Sequence, residues 1–215
     1  MEECREHVSA QIKLVNPEPE ASLEQLECFI SELLKWNKAV NLTSISTRED
    51  CWEKHIQDSL LTLPYIHNAA TILDIGSGAG FPSIPIKLCC PHMYIVSTDK
   101  VRKKINFQNH CKRKFNITEF DAMCARIETL THLKERFDVV IARALAPLEI
   151  LIRLGGEYVR PGGILLAMKS NIDATEIELG QTAGIEFGMK LDEVVTQKLL
   201  PSGAERKLII MKKIQ

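Results

Sequence analysis

The chain has 215 residues, of which 45% are apolar and 26% are charged, and its mean hydropathy is -0.05. This composition is typical of a soluble globular protein and excludes collagen-like, disordered and disulfide-stapled miniprotein classes. The net charge is -1 and the isoelectric point is near 6.6, so the whole molecule has no broad electrostatic attraction for nucleic acid. The length suits one large domain with an extension.

The sequence predicts a cytoplasmic protein without a membrane span or a metal site. The N-terminus lacks the basic leader and apolar core of a secretory peptide. The longest apolar stretches are interrupted by charged residues such as Arg143, and none approaches the roughly 18 to 20 residues that a bilayer requires. The seven cysteines contain no CxxC pair, and the six histidines are scattered, so we expect neither a disulfide framework nor a metal.

The first part of the chain is predicted to be helical. Ser22 and Gln25 have the spacing of a capping box, and apolar residues then recur at intervals of three and four as far as Val40. Thr47 is the candidate cap of a second helix that ends before Pro64. We expect an N-terminal helical extension packed on the rest of the protein.

The boundary of this extension is predicted at residue 68, with the main domain over residues 69–215. Short apolar segments then alternate with helical ones, which is typical of a doubly wound, mostly parallel α/β sheet. The predicted strands are 71–75, 94–98, 118–123, 138–142 and 164–168, the helices are 83–88, 101–113 and 147–159, and a C-terminal antiparallel hairpin pairs 193–199 with 207–211.

The segment LDIGSGAGFP is the most informative local motif. Asp74 ends a predicted strand, and Gly76, Gly78 and Gly80 follow at alternate positions. A nicotinamide dinucleotide motif would place its third glycine at the position of Phe81. The spacing DxGxGxG is instead typical of S-adenosylmethionine methyltransferases, which favours a nucleoside cofactor over hydride transfer.

Further candidate ligands follow the next three strands. Asp99 ends the second strand, where a carboxylate accepts hydrogen bonds from ribose hydroxyls, although it is also compatible with a helix N-cap. Ile127 and Glu128 belong to the triplet RIE at residues 126–128, which lies where such folds contact adenine. The same triplet equally suits an exposed helix start. Arg143 follows the strand DVVIA and therefore points to the carboxyl edge of the sheet, where ligands of open α/β sheets bind.

Several segments together resemble one family along nearly the whole chain. They are KWNKAVNLTSI, HIQDSL, LDIGSGAGFPSIP, TDKVRKKINF, the RIE triplet, FDVVIARALAPL, PGGILLAMK and PSGAERKLIIMKK. The family is the bacterial 16S rRNA guanine-N7 methyltransferase G, also called glucose-inhibited division protein B. The resemblance implies a class I S-adenosylmethionine methyltransferase with a Rossmann-like fold.

The resemblance also implies a cofactor, a substrate and a set of site residues. The cofactor is S-adenosyl-L-methionine, and the substrate is N7 of guanine 527 in 16S rRNA, either free or in the small ribosomal subunit. The implied cofactor-binding residues are Gly76, Gly78, Gly80, Phe81, Asp99, Ile127, Glu128 and Arg143. The chain departs from the family pattern at Ser83, Ala142 and Ser170, so loop geometry near the two serines is in question.

The chemistry of this substrate predicts no catalytic base. Guanine N7 has an in-plane lone pair and no proton, so rate would come from alignment of the reacting atoms. We therefore predict that Arg143 is a catalytic positioning residue. His55 and Asp58 lie on one predicted helix face, where they either tie the extension to the domain or line the RNA cleft. Asn37 and Asn41 are open to the same two interpretations, and Trp36 is either a core residue or a platform on which a base stacks.

A basic run from Lys100 to Lys114 has seven lysines or arginines and no acidic residue. Such a run is either a solvated helix face or a surface for RNA phosphates. The resemblance favours RNA, with candidate contacts at Lys100, Arg102, Lys103, Lys104, Lys169 and Arg206. We expect a monomer. Three functions are alternatives to an rRNA methyltransferase. They are a methyltransferase for a small molecule or protein, a nicotinamide oxidoreductase, and an RNA-binding assembly factor without a cofactor.

Overall fold

A computed structural model describes residues 1–214, and seven strands within this range form one open sheet. The spatial order is β3-β2-β1-β4-β5-β7-β6, in which β1 to β5 are parallel and β7 runs antiparallel to both neighbours. The strands are β1 Thr71–Ile75, β2 Tyr94–Asp99, β3 Phe120–Cys124, β4 Phe137–Arg143, β5 Val159–Lys169, β6 Met189–Lys198 and β7 Glu205–Lys213. The predicted fold class is confirmed.

Helices cover both faces of this sheet. They are α1 Glu2–Ile12, α2 Glu20–Val40, α3 Arg48–Cys51, α4 Asp58–Leu60, α5 Leu63–Ile66, α6 Ser83–Cys89, α7 Arg102–Lys114, α8 Leu148–Gly155 and α9 Ala174–Glu186, with a π-helical segment, Trp52–Gln57, joining α3 to α4. Short 3₁₀ turns occupy Ile127–Thr129, Thr131–Leu133 and Gly156–Tyr158. None of the helices in residues 1–214 is long and apolar enough to cross a membrane.

Successive strand residues supply two separate cores. On one face Ile72 and Ile141 join a buried cluster with α1, α2, α6 and α7, whereas the adjacent Leu73 and Val140 join a second cluster with α8 and α9. This alternation follows from the pleat, which turns successive side chains to opposite faces. The N-terminal helices therefore share one continuous hydrophobic core with the α6 and α7 face of the sheet.

Several predicted elements differ from the structure, and β5 begins at Val159 rather than at residue 164. Strand β3 begins at Phe120 rather than at residue 118, because Glu119 has a φ of +47° and breaks the extended backbone. The predicted helix 147–159 ends as an α-helix at Gly155, and Val159 already belongs to β5. Helix α9 was not predicted as a helix.

The predicted caps of the N-terminal helices had opposite outcomes. Thr47 accepts the backbone N–H of Asp50 and caps α3 as predicted, at 3.2 Å. The capping box at Ser22 was wrong, since α2 already begins at Glu20. The Ser22 hydroxyl instead donates to the carbonyl of Leu88 at 3.3 Å and joins α2 to α6.

Candidate active site

A cavity of about 720 Å³ lies at the carboxyl ends of β1, β2 and β4. Its position coincides with the reversal of strand order between β1 and β4, where open α/β sheets bind ligands. Among the predicted cofactor ligands, those that line it are Gly76, Gly78, Phe81, Asp99, Ile127, Glu128 and Arg143. Gly80 is outside the lining.

The glycine loop turns sharply between β1 and α6. Gly76, Gly78 and Gly80 have φ angles of +71°, +59° and +94°, in the region that disfavours residues with a Cβ. A Cβ on Gly80 would lie 2.5 Å from the Ile84 side chain, whereas one on Gly78 would meet only Lys104 Nζ at 3.8 Å. Gly80 is thus required by packing, and Gly78 leaves room in the cavity.

Asp99 is fixed at the end of β2 by two backbone groups. Its Oδ2 accepts the N–H of Gly78 at 2.9 Å, and its Oδ1 accepts the N–H of Val101 at 2.8 Å. The second bond reaches Val101, the residue before α7, and no side chain caps that helix, so the N-cap interpretation of Asp99 was wrong. Its role as a ribose ligand stays a prediction. Each oxygen retains a further lone pair for a ligand hydroxyl.

A buried polar network supports the loop from below. Gln108 accepts the hydroxyl of Ser97 at 2.7 Å and donates to the carbonyl of Gly78 at 2.8 Å. Asp74 accepts the hydroxyl and the backbone N–H of Ser83, while its Oδ1 has no partner in residues 1–214. Burial raises the pKa of Asp74 to about 7. Ser83 therefore holds a buried carboxyl that packs beneath the glycine loop.

One wall of the cavity is built around Phe81. The His55 imidazole stacks on its ring with centroids 4.2 Å apart, and the Arg143 guanidinium lies 5.1 Å from the same ring. Burial, together with the charge of Arg143, lowers the pKa of His55 to about 3, so the imidazole is neutral. Arg143 donates to His55 Nδ1 at 3.2 Å, and His55 Nε2 is therefore the protonated nitrogen, 3.0 Å from Thr43 Oγ1.

Asp58 contacts two cavity arginines that are distant in the sequence. Its Oδ2 lies 3.3 Å from Arg143 Nη1, and its Oδ1 lies 3.1 Å from Arg206 Nε. Arg143 also donates to the carbonyl of Lys54 at 3.0 Å. His55 and Asp58 join the N-terminal helices to the sheet, as the first predicted alternative states, and both line the cavity. Their contact with RNA stays a prediction.

The opposite end of the cavity is formed by the 3₁₀ turn after β3. Ile127 is buried, and its carbonyl accepts the hydroxyl of Tyr158 at 2.7 Å, which fixes the turn. Glu128 is exposed beside it. The pair offers an apolar surface and a carboxylate acceptor to a ligand ring.

Sequence reasoning missed the loop after α2, in which Leu42, Thr43 and Ile45 line the cavity. Asn37 organises this loop, since its Oδ1 accepts the N–H groups of Leu42 and Thr43 at 2.7 and 2.9 Å. Asn41 ends α2 with a φ of +48°. A helix that ends with such asparagines is a signal of a fixed loop. Trp36 packs against Phe107 and His110, which gives it a structural contact.

Most of the basic run has partners within the protein. Lys112 and Lys114 pair with Asp121 and Glu32 at 3.3 and 2.7 Å, and Lys104 lies 3.9 Å from Asp99 Oδ2. Lys103 donates to the carbonyl of Val40 at 2.7 Å. Arg102 and Lys103 do not line the cavity, whereas Lys100, Lys104, Lys169 and Arg206 do. Lys169 forms an ion pair with Glu176 at 2.8 Å.

An open, mostly parallel sheet with a glycine loop and a strand-end carboxylate defines a nucleoside-binding α/β protein. The family model described as rRNA small subunit methyltransferase G matches residues 22–208. The chain belongs to this family. It is therefore an rRNA methyltransferase, and its methyl donor is S-adenosylmethionine.

Two relatives share this family name. The chain is 39% identical over 196 residues to the ribosomal RNA small subunit methyltransferase G of Bacillus cytotoxicus, covering 89% of this chain and 82% of the relative. It is 37% identical over 199 residues to the protein of the same name from Syntrophotalea carbinolica, covering 89% and 92%.

The fold also matches solved structures at low sequence identity. One is TYW2 from M. jannaschii in complex with AdoMet, with a TM-score of 0.55 and 14% identity over 67% of this chain and 68% of that one. This likeness supports the architecture of the sheet.

Proposed function

We propose that this protein transfers the methyl group of S-adenosylmethionine to N7 of guanine 527 in 16S rRNA. The observation that carries the proposal is the contact of Arg143, at the end of β4, with the ring of Phe81 in the cavity wall beside the glycine loop. The volume of about 720 Å³ lies within the range of cofactor pockets, which run from about 300 to 1,000 Å³.

The residues present fit a nucleoside sulfonium ligand. The backbone at Gly78 is open to close approach, since a Cβ there would meet only Lys104 Nζ, and Asp99 has acceptor capacity for ribose hydroxyls. Ile127 supplies an apolar contact for the adenine, and Glu128 supplies an acceptor for its amino group. When bound, S-adenosylmethionine supplies an electrophilic methyl group on a sulfonium centre.

The protein's contribution to the reaction is positioning. Guanine N7 carries a lone pair in the ring plane, so no residue has to remove a proton before attack. His55 suits this chemistry as a neutral, stacked side chain that orients Arg143. Arg143 is the positioning residue, since its guanidinium is a hydrogen-bond donor of the kind that guanine O6 accepts. Alignment of this kind supplies several kcal/mol of rate acceleration.

The substrate is proposed to be the rRNA itself or the small ribosomal subunit, bound by a monomeric enzyme in the cytoplasm. The candidate phosphate contacts are the predicted set, Lys100, Arg102, Lys103, Lys104, Lys169 and Arg206. We further propose that residues 1–68 act as an extension of the methyltransferase domain 69–215 and supply the cavity wall at Thr43 and His55.

The decisive experiment measures transfer of labelled methyl from S-adenosylmethionine to small ribosomal subunits and to bare 16S rRNA that lack the modification. We expect a single labelled guanine, with the label on N7, and mapping of the base identifies it. Label at another base or atom would reject the proposed target. Transfer to protein or to small molecules without rRNA would favour the alternative class of methyltransferase.

A further inference from the structure

The π-helical segment Trp52–Gln57 contacts the turn between β6 and β7 and leads directly into Asp58. Its Gln57 Oε1 accepts the N–H of Leu200 at 2.8 Å, and its Glu53 Oε1 accepts the N–H of Ser202 at 3.3 Å. Both acceptors therefore hold the turn between β6 and β7. Asp58, which follows directly, is bonded to one arginine from β4 and one from β7. π-Helical segments are rare in proteins, and those that occur often lie at functional sites.

The two arginines converge at the cost of electrostatic repulsion. Arg143 and Arg206 both line the cavity, and both side chains are only 18% exposed. Two guanidinium groups in such a place repel each other strongly, because the screening by water is weak. A carboxylate placed between them offsets this repulsion, and Asp58 is 5% exposed and contacts both.

The remaining contacts of the two arginines are unequal. Arg143 has two additional partners, the Lys54 carbonyl and His55. Arg206 has only the carbonyl of the adjacent Glu205 besides Asp58, and its Nη2 donates to no group within residues 1–214. Arg206 therefore depends on Asp58 for its orientation, and its Nη2 is available to a ligand.

We infer that Asp58 is a positioning residue that orients Arg206, and with it Arg143, toward the RNA substrate in the cavity. The inference deepens the proposed function and rests on it. A donor at guanine O6 orients the base and leaves N7 free to attack, and a guanidinium is the side chain most often used for this edge of guanine. Asp58 acts on the reaction only through the two arginines.

The test is a double-variant cycle with Asp58→Asn and Arg206→Gln, measured as methyl transfer to small ribosomal subunits. We expect each single variant to reduce kcat at least about 10-fold. We expect the kcat of the double variant to lie within about 3-fold of the kcat of the less active single variant, because both changes remove the same arrangement. The affinity for S-adenosylmethionine alone should change less than about 3-fold in Asp58→Asn, since Arg143 keeps its other partners.

Glu53→Gln is the matched control, because it lies on the same π-helical segment and contacts the hairpin turn but neither arginine. It should retain wild-type kcat. A purely structural role of Asp58 would lower the melting temperature and leave kcat per folded molecule unchanged, and that result would overturn the inference. So would single-variant effects that simply multiply in the double variant.

Asp58→Asn leaves two buried cations without a counterion and is at risk of not folding. Arg206→Gln and Arg206→Lys then serve as the test, because Asp58 keeps its bond to Arg143 in both. We expect Arg206→Lys to recover only part of the kcat lost in Arg206→Gln, since lysine lacks the fixed planar fork. Full activity of Arg206→Gln would exclude the inference. If the wild-type protein transfers no methyl to rRNA, the proposed function fails and this inference fails with it.

Discussion

At the scale of single residues, two glycines of the loop, Gly78 and Gly80, have different roles. Gly80 faces the Ile84 side chain in the core, whereas Gly78 faces the cavity beside Lys104. Both have positive φ angles, so a sequence motif alone does not distinguish them. The distinction matters for mutagenesis, because a loss of activity has a packing cause at one position and a ligand-binding cause at the other.

We predict opposite consequences for alanine at these two glycines. Gly80→Ala should lower the free energy of unfolding by about 2–4 kcal/mol through backbone strain and overpacking. Gly78→Ala should cost only about 1 kcal/mol of stability, while its Cβ in the cavity weakens S-adenosylmethionine binding at least 10-fold. Denaturant unfolding and calorimetric titration of the two variants measure these effects. Equal losses of affinity per folded molecule would contradict this assignment.

At the scale of elements, one buried carboxylate joins α2 to α7. Glu32 is 7% exposed and accepts bonds from Lys114 and His110, both at 2.7 Å. The hydrogen bond from Lys114 is the largest cause that lowers the pKa of Glu32 below its ordinary 4.5. This contact fixes α2, which precedes the cavity loop at residues 42–45, against α7, which follows Asp99.

We predict that Glu32→Gln lowers the free energy of unfolding by about 1–2 kcal/mol at pH 7. Because folding lowers the pKa of Glu32, its contribution is present above the unfolded pKa and is lost as the pH falls through the lowered folded value. The difference between wild type and variant should therefore shrink below about pH 4.5. Urea unfolding at pH 7 and pH 3.5 measures it, with the exposed Glu24→Gln on the same helix as control. A difference that grows on acidification would refute this role.

The elements differ in how well the sequence predicts them. The first strands have continuous apolar runs bounded by turns, and β1 was predicted exactly as it stands, at 71–75. Helix α9 was missed because its contacts use small residues. Gly180 packs so closely on α8 that a Cβ would lie 2.4 Å from Leu148, and Leu179 and Ile185 are exposed. Glycine at the contact and apolar residues in solvent remove the amphipathic pattern.

The residues of the site, like the elements, were predicted where a local sequence pattern marks them. Residues at strand ends, such as Asp99 and Arg143, were predicted to lie together because the ends of parallel strands meet at one edge of the sheet. The cavity contacts of Thr43 and Ile45 depend on how the N-terminal helices dock on the sheet, and no local pattern carries that information. The π-helical segment also has no period of its own in the sequence. Long-range ion pairs, such as that between Glu32 and Lys114, are hidden for the same reason.

At the scale of the whole molecule, a protein with a net charge of -1 has to bind a polyanion through a local surface. The basic run does not provide it uniformly, since the charges of Lys112 and Lys114 are compensated by acids. Lys100 lies on the cavity rim, is exposed, and makes no ion pair within residues 1–214. The phosphate contacts are therefore expected to concentrate around the mouth of the cavity.

We predict that Lys100→Ala weakens binding to 16S rRNA about 3- to 10-fold at physiological ionic strength. Because each phosphate contact releases condensed counterions, the variant should also reduce the slope of log K against log salt concentration by about 1. Lys112→Ala, in the same basic run but paired with Asp121, is the matched control and should leave the slope unchanged. Filter binding across a salt series measures both quantities. Equal changes in the two variants would show instead that the run acts as one diffuse surface, with the cavity rim having no special part in holding the RNA.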